Sequence, residues 1–321
     1  MKNRLLWPSL VLLALVMLSF LIGRYPNPNL DQSFFSDEIW RNLILYIRIP
    51  RVLTAVMVGM GLALAGLVMQ TVFKNPLADP GLLGVSQAAG FGAALGILFF
   101  GGSRVVIQLL AFIMGALALL LSLLIARKIK NEKVISLVLA GIAISAIFSA
   151  GLGLLKYIAD PVNQLPNIVF WLLGSLSNIG WKEFLQIALI CLPIILFFWY
   201  YRWRLNVHAL DKEVAFSLGM KDNRELNFIL LASVLMTSAI ISVSGLIGWV
   251  GLIIPNLARV MTASNNAKTL PLTLLMGAGF ALICDNFARS LLAGEIPLGI
   301  LTAFLGSLLF IGLLLDRRRL L

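Results

Sequence analysis

From Leu5 to Leu315 the chain offers one apolar run of about 20 residues after another, with few charges between them. A run of that length crosses a hydrocarbon layer of about 30 Å as a helix. Backbone groups in lipid must bond within their own segment, so the runs predict an all-α integral membrane bundle. They read as ten spans, at residues 5–23, 50–73, 82–101, 104–126, 134–157, 182–201, 226–246, 248–262, 271–292 and 297–315. The composition agrees, with 60% hydrophobic against 12% charged residues, which excludes a soluble domain. The longest stretches between spans, near residues 24–49 and 206–225, are too short for a core of their own. The chain therefore reads as a single transmembrane domain, 1–321, whose first apolar run is a retained helix and not a cleaved signal.

The formal charge of +11 has a topological reading. With the amino terminus inside, the cytoplasmic segments hold 17 of the 25 Lys and Arg residues, led by Arg127, Lys128, Lys130 and Lys133 and by Arg317 to Arg319. Both termini are then cytoplasmic, in a plasma (inner) membrane. The basic residues form no aromatic-studded patch, so nucleic acid is not expected as a partner.

The second and third spans carry small residues at close intervals: Gly59, Gly61, Ala63, Ala65 and Gly66, then Ala88, Ala89, Gly92, Ala93 and Gly96. Such stripes let helix backbones approach in lipid, which places these helices inside the bundle. The short eighth span carries Pro255 and Asn256 and reads as a broken helix. Asp285 and Arg289 stand four apart, so they can pair on one helix face. Gln70, Gln87 and Gln108 either bond a neighbouring helix or line a pathway.

Enzymatic chemistry finds no support. Cys191 and Cys284 fall inside spans, and His208, the only histidine, lies in a cytoplasmic loop, so no metal site is indicated. No Gly-Lys dipeptide occurs, which removes a phosphate-cradling lysine loop. The loop at 205–225 contains Glu213, Ala215 and Gly219 in a short amphipathic helix closed by a glycine. Its spacing resembles the Glu-Ala-Ala-x-x-x-Gly loop that seats importer permeases on their ATPase subunits.

Several segments together resemble a known family: Arg48 to Arg51, Gly61 to Gln70, Asn75 to Ser86, Leu139 to Ala143, Trp171 to Leu176, Gly245 to Pro255, Asp285 to Arg289, and Glu295 to Thr302. They are similar, in order, to the FecCD/BtuC-like permeases of cobalamin, haem and iron-siderophore ABC importers, the type II importer class. The resemblance implies a homodimer in lipid, two cytoplasmic ATPase subunits that hold ATP and Mg, a periplasmic or extracellular substrate-binding protein, and no cofactor or metal on this subunit. By matching positions it implies a cytoplasmic gate at Asn75, Pro76 and Leu77, and ATPase coupling at Glu213, Ala215 and Gly219. It also implies docking of the binding protein at Arg48, Arg51 and Arg289.

Asn256 departs from the histidine common in the family, and Gly306-Ser307-Leu308 replaces Gly-Ala-Pro. The expected cargo is a metal chelate, with a small oxyanion such as molybdate or tungstate as the alternative. An ion-gradient transporter would need a coupling site near the midplane, for which Asp285 is the candidate.

Overall fold

The computed structural model describes residues 2–23, 38–129, 133–219, 223–262, 265–292 and 294–315, and all regular elements among them are helical. Of the basic residues that set the expected orientation, Lys130, Lys221 and Arg317 to Arg319 lie outside the described residues. The helices are α1 (Lys2–Leu21), α2 (Glu38–Leu43), α3 (Ile49–Val72), α4 (Val85–Phe99), α5 (Arg104–Ala126), α6 (Lys133–Ile158), α7 (Gln164–Leu173), α8 (Trp181–Tyr201), α9 (Leu205–His208), α10 (Lys212–Ser217), α11 (Asn223–Ser244), α12 (Val250–Thr262), α13 (Asn266–Ser290) and α14 (Leu298–Leu315). The ten expected spans correspond to α1, α3, α4, α5, α6, α8, α11, α12, α13 and α14.

Among the described residues, seven of these ten are long and apolar enough to cross a membrane unaided, while the apolar stretches of α1, α4 and α12 are shorter. At 1.5 Å per residue α12 covers about 20 Å. The non-helical segment before it, in which Gly245 and Trp249 adopt positive φ, precedes its first turn. The break thus lies at residues 245–249, while the helix itself continues through Pro255.

Two elements were not foreseen. The second span begins earlier than expected: α2 runs through a π-helical turn, Ile44–Arg48, into α3. Pro50 sits in the first turn of α3, and its missing N–H removes the helical donor for the Tyr46 carbonyl at the point where the helix widens. The other is α7, a ten-residue helix whose end returns through Gly174.

Packing sorts the spans into an inner and an outer set. The Glu38–Val72 span has 83% of its most apolar window buried, α13 67% and α11 61%, against 33% for α5 and α6, 28% for α8 and 22% for α14. The small-residue stripe of α3 explains why it is central. A Cβ at Gly66 would stand 1.8 Å from the Gly251 carbonyl oxygen of α12, and one at Gly59 would stand 2.1 Å from that of Gly277 in α13. Contacts that close exist only between bare backbones.

Candidate functional site

The C-terminal end of α3 is a turn built by its own sequence. Asn75 N–H donates to the Gln70 carbonyl (3.2 Å) and Lys74 N–H to that of Thr71 (3.4 Å), with Lys74 left-handed at φ 48. This is a Schellman closure with lysine where glycine is usual. The Asn75 carboxamide oxygen accepts from Leu77 N–H at 2.9 Å, an Asx turn that fixes Pro76 and leaves Leu77 53% exposed. The three residues expected at the gate therefore form one rigid turn.

Behind that turn lies a buried polar network that sequence reasoning only touched. Pro255 has no N–H, so the Gly251 carbonyl four residues earlier loses its helical donor. Gln70 of α3 supplies it: its amide donates to Gly251 (3.2 Å) and Leu252 (3.0 Å). The oxygen of the same amide accepts from Arg259, whose guanidinium also reaches the Asn256 oxygen at 3.3 Å. Asn256 in turn donates to the Pro76 carbonyl (2.9 Å) and the Leu252 carbonyl (2.8 Å). Gln70, read as a pathway or bridging amide, is thus placed as a bridge between helices. Gln87 is half-buried on α4. Gln108 borders a cavity of about 620 Å³ that Arg104, Asn167, Glu183 and Ser244 also line.

Beside the turn, outside the spans, lies the loop with the expected coupling residues. Glu213 is in the first turn of α10, Ala215 is buried, and Gly219 follows at φ 89 with open space around it. Val214, Phe216 and Leu218 project outward with exposures of 48%, 63% and 60%. Lys74 of the turn after α3 pairs with Asp211, the residue before α10, at 3.3 Å.

Short α9 anchors this loop. Asn206 accepts from Asn266 N–H (2.8 Å) and Asn266 donates to the Leu205 carbonyl (3.2 Å), which joins α9 to the start of α13. His208 meets the Tyr201 hydroxyl at 3.0 Å, and that hydroxyl donates to Glu225, which Arg204 also holds. Burial, aided by the nearby Arg204 charge, lowers the His208 imidazole from 6.5 to about 4, so the ring is neutral at physiological pH. In the loop between α3 and α4, burial pushes the Asp79 carboxyl upward, against hydrogen bonds from Gly81 and Leu82 that pull it down.

At the opposite end of α3, Arg48, Arg51 and Arg289 are buried, with exposures of 5%, 5% and 7%. Arg51 donates to Asp285 (2.9 Å) and to Glu295 (2.7 Å), joining α3, α13 and the loop before α14. Arg289 stands 3.5 Å from Asp285 and donates to the Ser19 carbonyl at 2.7 Å. Arg48 donates to the carbonyls of Phe20 (2.8 Å) and Leu21 (3.1 Å) and lies over the Trp40 ring. With Ile22 N–H on Leu18, all four terminal carbonyls of α1 have a donor, two of them Arg48's. In this conformation the guanidinium groups face the chain's own acceptors.

The backbone between these ends also converges. Ser175 N–H donates to the Ser244 carbonyl and Leu298 N–H to that of Gly174, both at 2.8 Å. The segments Trp171–Leu176, Gly245–Pro255 and Glu295–Thr302, far apart in sequence, thus meet at one crossing. Irregular backbone at this depth is tolerated because protein covers it.

The FecCD transport family profile matches residues 11–316. The molybdate import system permease protein MolB of Haemophilus influenzae is 38% identical over 94% of this chain and 92% of its own length. The hemin transport system permease protein HmuU of Yersinia pestis is 36% identical over 88% and 86%. A solved inward-facing structure assigned to the metal-chelate type of ABC transporter superposes with a TM-score of 0.91 at 37% identity, covering 98% of this chain and all of that one. An all-helical bundle with this order of helices and this extent of sequence likeness has one assignment: the chain belongs to the FecCD transport family.

Proposed function

We propose that this protein is the membrane permease of a binding-protein-dependent importer, works as a homodimer with both termini cytoplasmic, and moves a metal chelate under the drive of two partner ATPases. The observation that carries the reading is α10. Outside the spans, Val214, Phe216 and Leu218 expose apolar side chains next to the gate turn. Apolar surface of that kind on a short helix suits a groove in another protein. ATP and Mg belong to that partner. The poorly buried α5, α6, α8 and α14 offer the apolar faces from which the contact with a second copy would be drawn.

The outer rim is proposed to receive the binding protein. Its acids would reach Arg51 by exchange with Glu295, whose side chain is 39% exposed. A small oxyanion is the second reading of the cargo, favoured by the likeness to a molybdate permease over nearly the full length of both chains.

The test is ATP hydrolysis by the permease and its ATPase in liposomes, with binding proteins loaded with ferric chelates, haem, cobalamin or molybdate. Stimulation by one loaded protein supports the reading and names the cargo, whereas no association with any ATPase would overturn it. Gly219→Leu should abolish ATP-driven uptake with the permease still folded, since the new side chain meets open space but must adopt φ 89 beside the docking helix. Normal uptake by that variant would remove α10 from the coupling role.

A further inference from the structure

Beyond its backbone closure onto α3, the gate turn makes two polar side-chain contacts with other elements among the described residues, and they are unequal. On one side Lys74 pairs with Asp211, but these side chains are 42% and 93% exposed. An ion pair that open to water contributes little. On the other side the Pro76 carbonyl is held by Asn256, which is 6% exposed and spends both amide hydrogens, on Pro76 and Leu252. A reversed amide would set its oxygen against two carbonyls, so its orientation is fixed. Arg259 locks it from behind through its oxygen, and Gln70 holds Arg259 in turn.

We infer that Asn256, Arg259 and Gln70 are positioning residues that make the gate turn follow α12, so that the turn moves with this helix and not directly with the ATPase-docking loop. The assignment of the turn as a gate rests on the importer reading above; its mechanical attachment to α12 does not. Three features make α12 suited to the task. It is short, it begins after two left-handed residues that can act as a hinge, and Pro255 opens its ladder where Gln70 enters. The position occupied by Asn256 thereby becomes a setting of the gate, because its side chain decides whether Pro76 has a donor.

The experiment uses Leu77→Cys in the full-length permease. The native Cys191 and Cys284 are buried, so the introduced thiol is the one available to a membrane-impermeant maleimide. Asn256→Asp keeps the shape and can pair with Arg259 but has no hydrogen for Pro76. We expect it to raise the rate of thiol modification about fivefold, the factor that one lost neutral hydrogen bond gives. Asn256→Ser, without a new charge, should do the same. Asn256→His, which restores a single donor, should return the rate to within about twofold of the parent, and Asp211→Asn should not move it.

Equal rates in the parent, Asn256→Asp and Asn256→Ser would overturn the inference, as would an effect of Asp211→Asn as large as that of Asn256→Asp. No ATPase or cargo enters this measurement, so a chain that fails to bind any ATPase sinks the importer reading and leaves the attachment standing. In the reconstituted complex, Asn256→Asp should lower cargo moved per ATP while leaving ATP hydrolysis unchanged. An unchanged ratio would show that the turn held by Asn256 is not the gate.

Discussion

Asp285 is fully buried and faces two guanidinium groups, so its loss would strand charge that the bundle cannot hydrate. Breaking a buried pair costs about 3 to 5 kcal/mol. Asp285→Ala should lower the melting temperature in detergent accordingly, and the double change Asp285→Leu with Arg51→Met should recover part of the loss. Recovery of nothing would show that the carboxylate is needed for more than neutralising Arg51. His208 gives a pH dependence of known sign. Its imidazole is held near 4 in the fold against 6.5 when unfolded, so the unfolded state binds the extra proton between those values. Its contribution is complete above pH 6.5 and is lost as pH falls toward 4. Proteolysis in the α8–α9 loop should therefore speed up between pH 7 and 5, and His208→Gln should flatten that profile. The same residue shows the limit of reading single residues from sequence: a lone histidine in a loop gave no sign of Tyr201 and Glu225 around it.

At the scale of the helix, glycines separate by what lies beyond them. Gly66→Ala should cost at least about 1 to 3 kcal/mol, because α3 and α12 must part to admit the new carbon. Gly312→Ala in α14, with nothing near its Cβ position, should be neutral or stabilising. Parallel melts of the two variants check the contrast. The stripe from Gly59 to Gly66 announced a close-packed helix in the sequence, because small residues in lipid have few other uses. What it could not announce was the partner. Spans such as α5 emerged at their expected limits because charge and turn signals bound them. By contrast, α7 was invisible as a separate unit, since a ten-residue helix after a longer one falls below the length that signals a crossing. The π turn before α3 was equally silent, because one proline marks many local geometries.

Across the whole bundle, order along the chain and order in space part company. The sequence resemblance placed the turn at Asn75 to Leu77, the loop at Glu213 to Gly219 and the outer arginines in three separate segments. The fold brings the turn and the loop together through Lys74 and Asp211 and ties the arginines inward. Only the three-dimensional arrangement shows that Pro255, read as a helix breaker, is answered by Gln70 on another helix.

The bridge from Arg51 to Asp285 joins residues 234 positions apart. A ribosome working at about 5 to 20 residues per second takes roughly 12 to 47 seconds to cover that distance. For that interval after α3 is made, Arg51 has no carboxylate from α13 to meet, and a bare guanidinium is expensive at depth. The newborn helix must wait with its charged end at the headgroups, and it can seat fully only after the ninth span has been threaded. Biogenesis of this protein is thus held open until nearly its last helices are synthesised, so a chain truncated before Asp285 should be surrendered to membrane quality control even though α3 itself is complete.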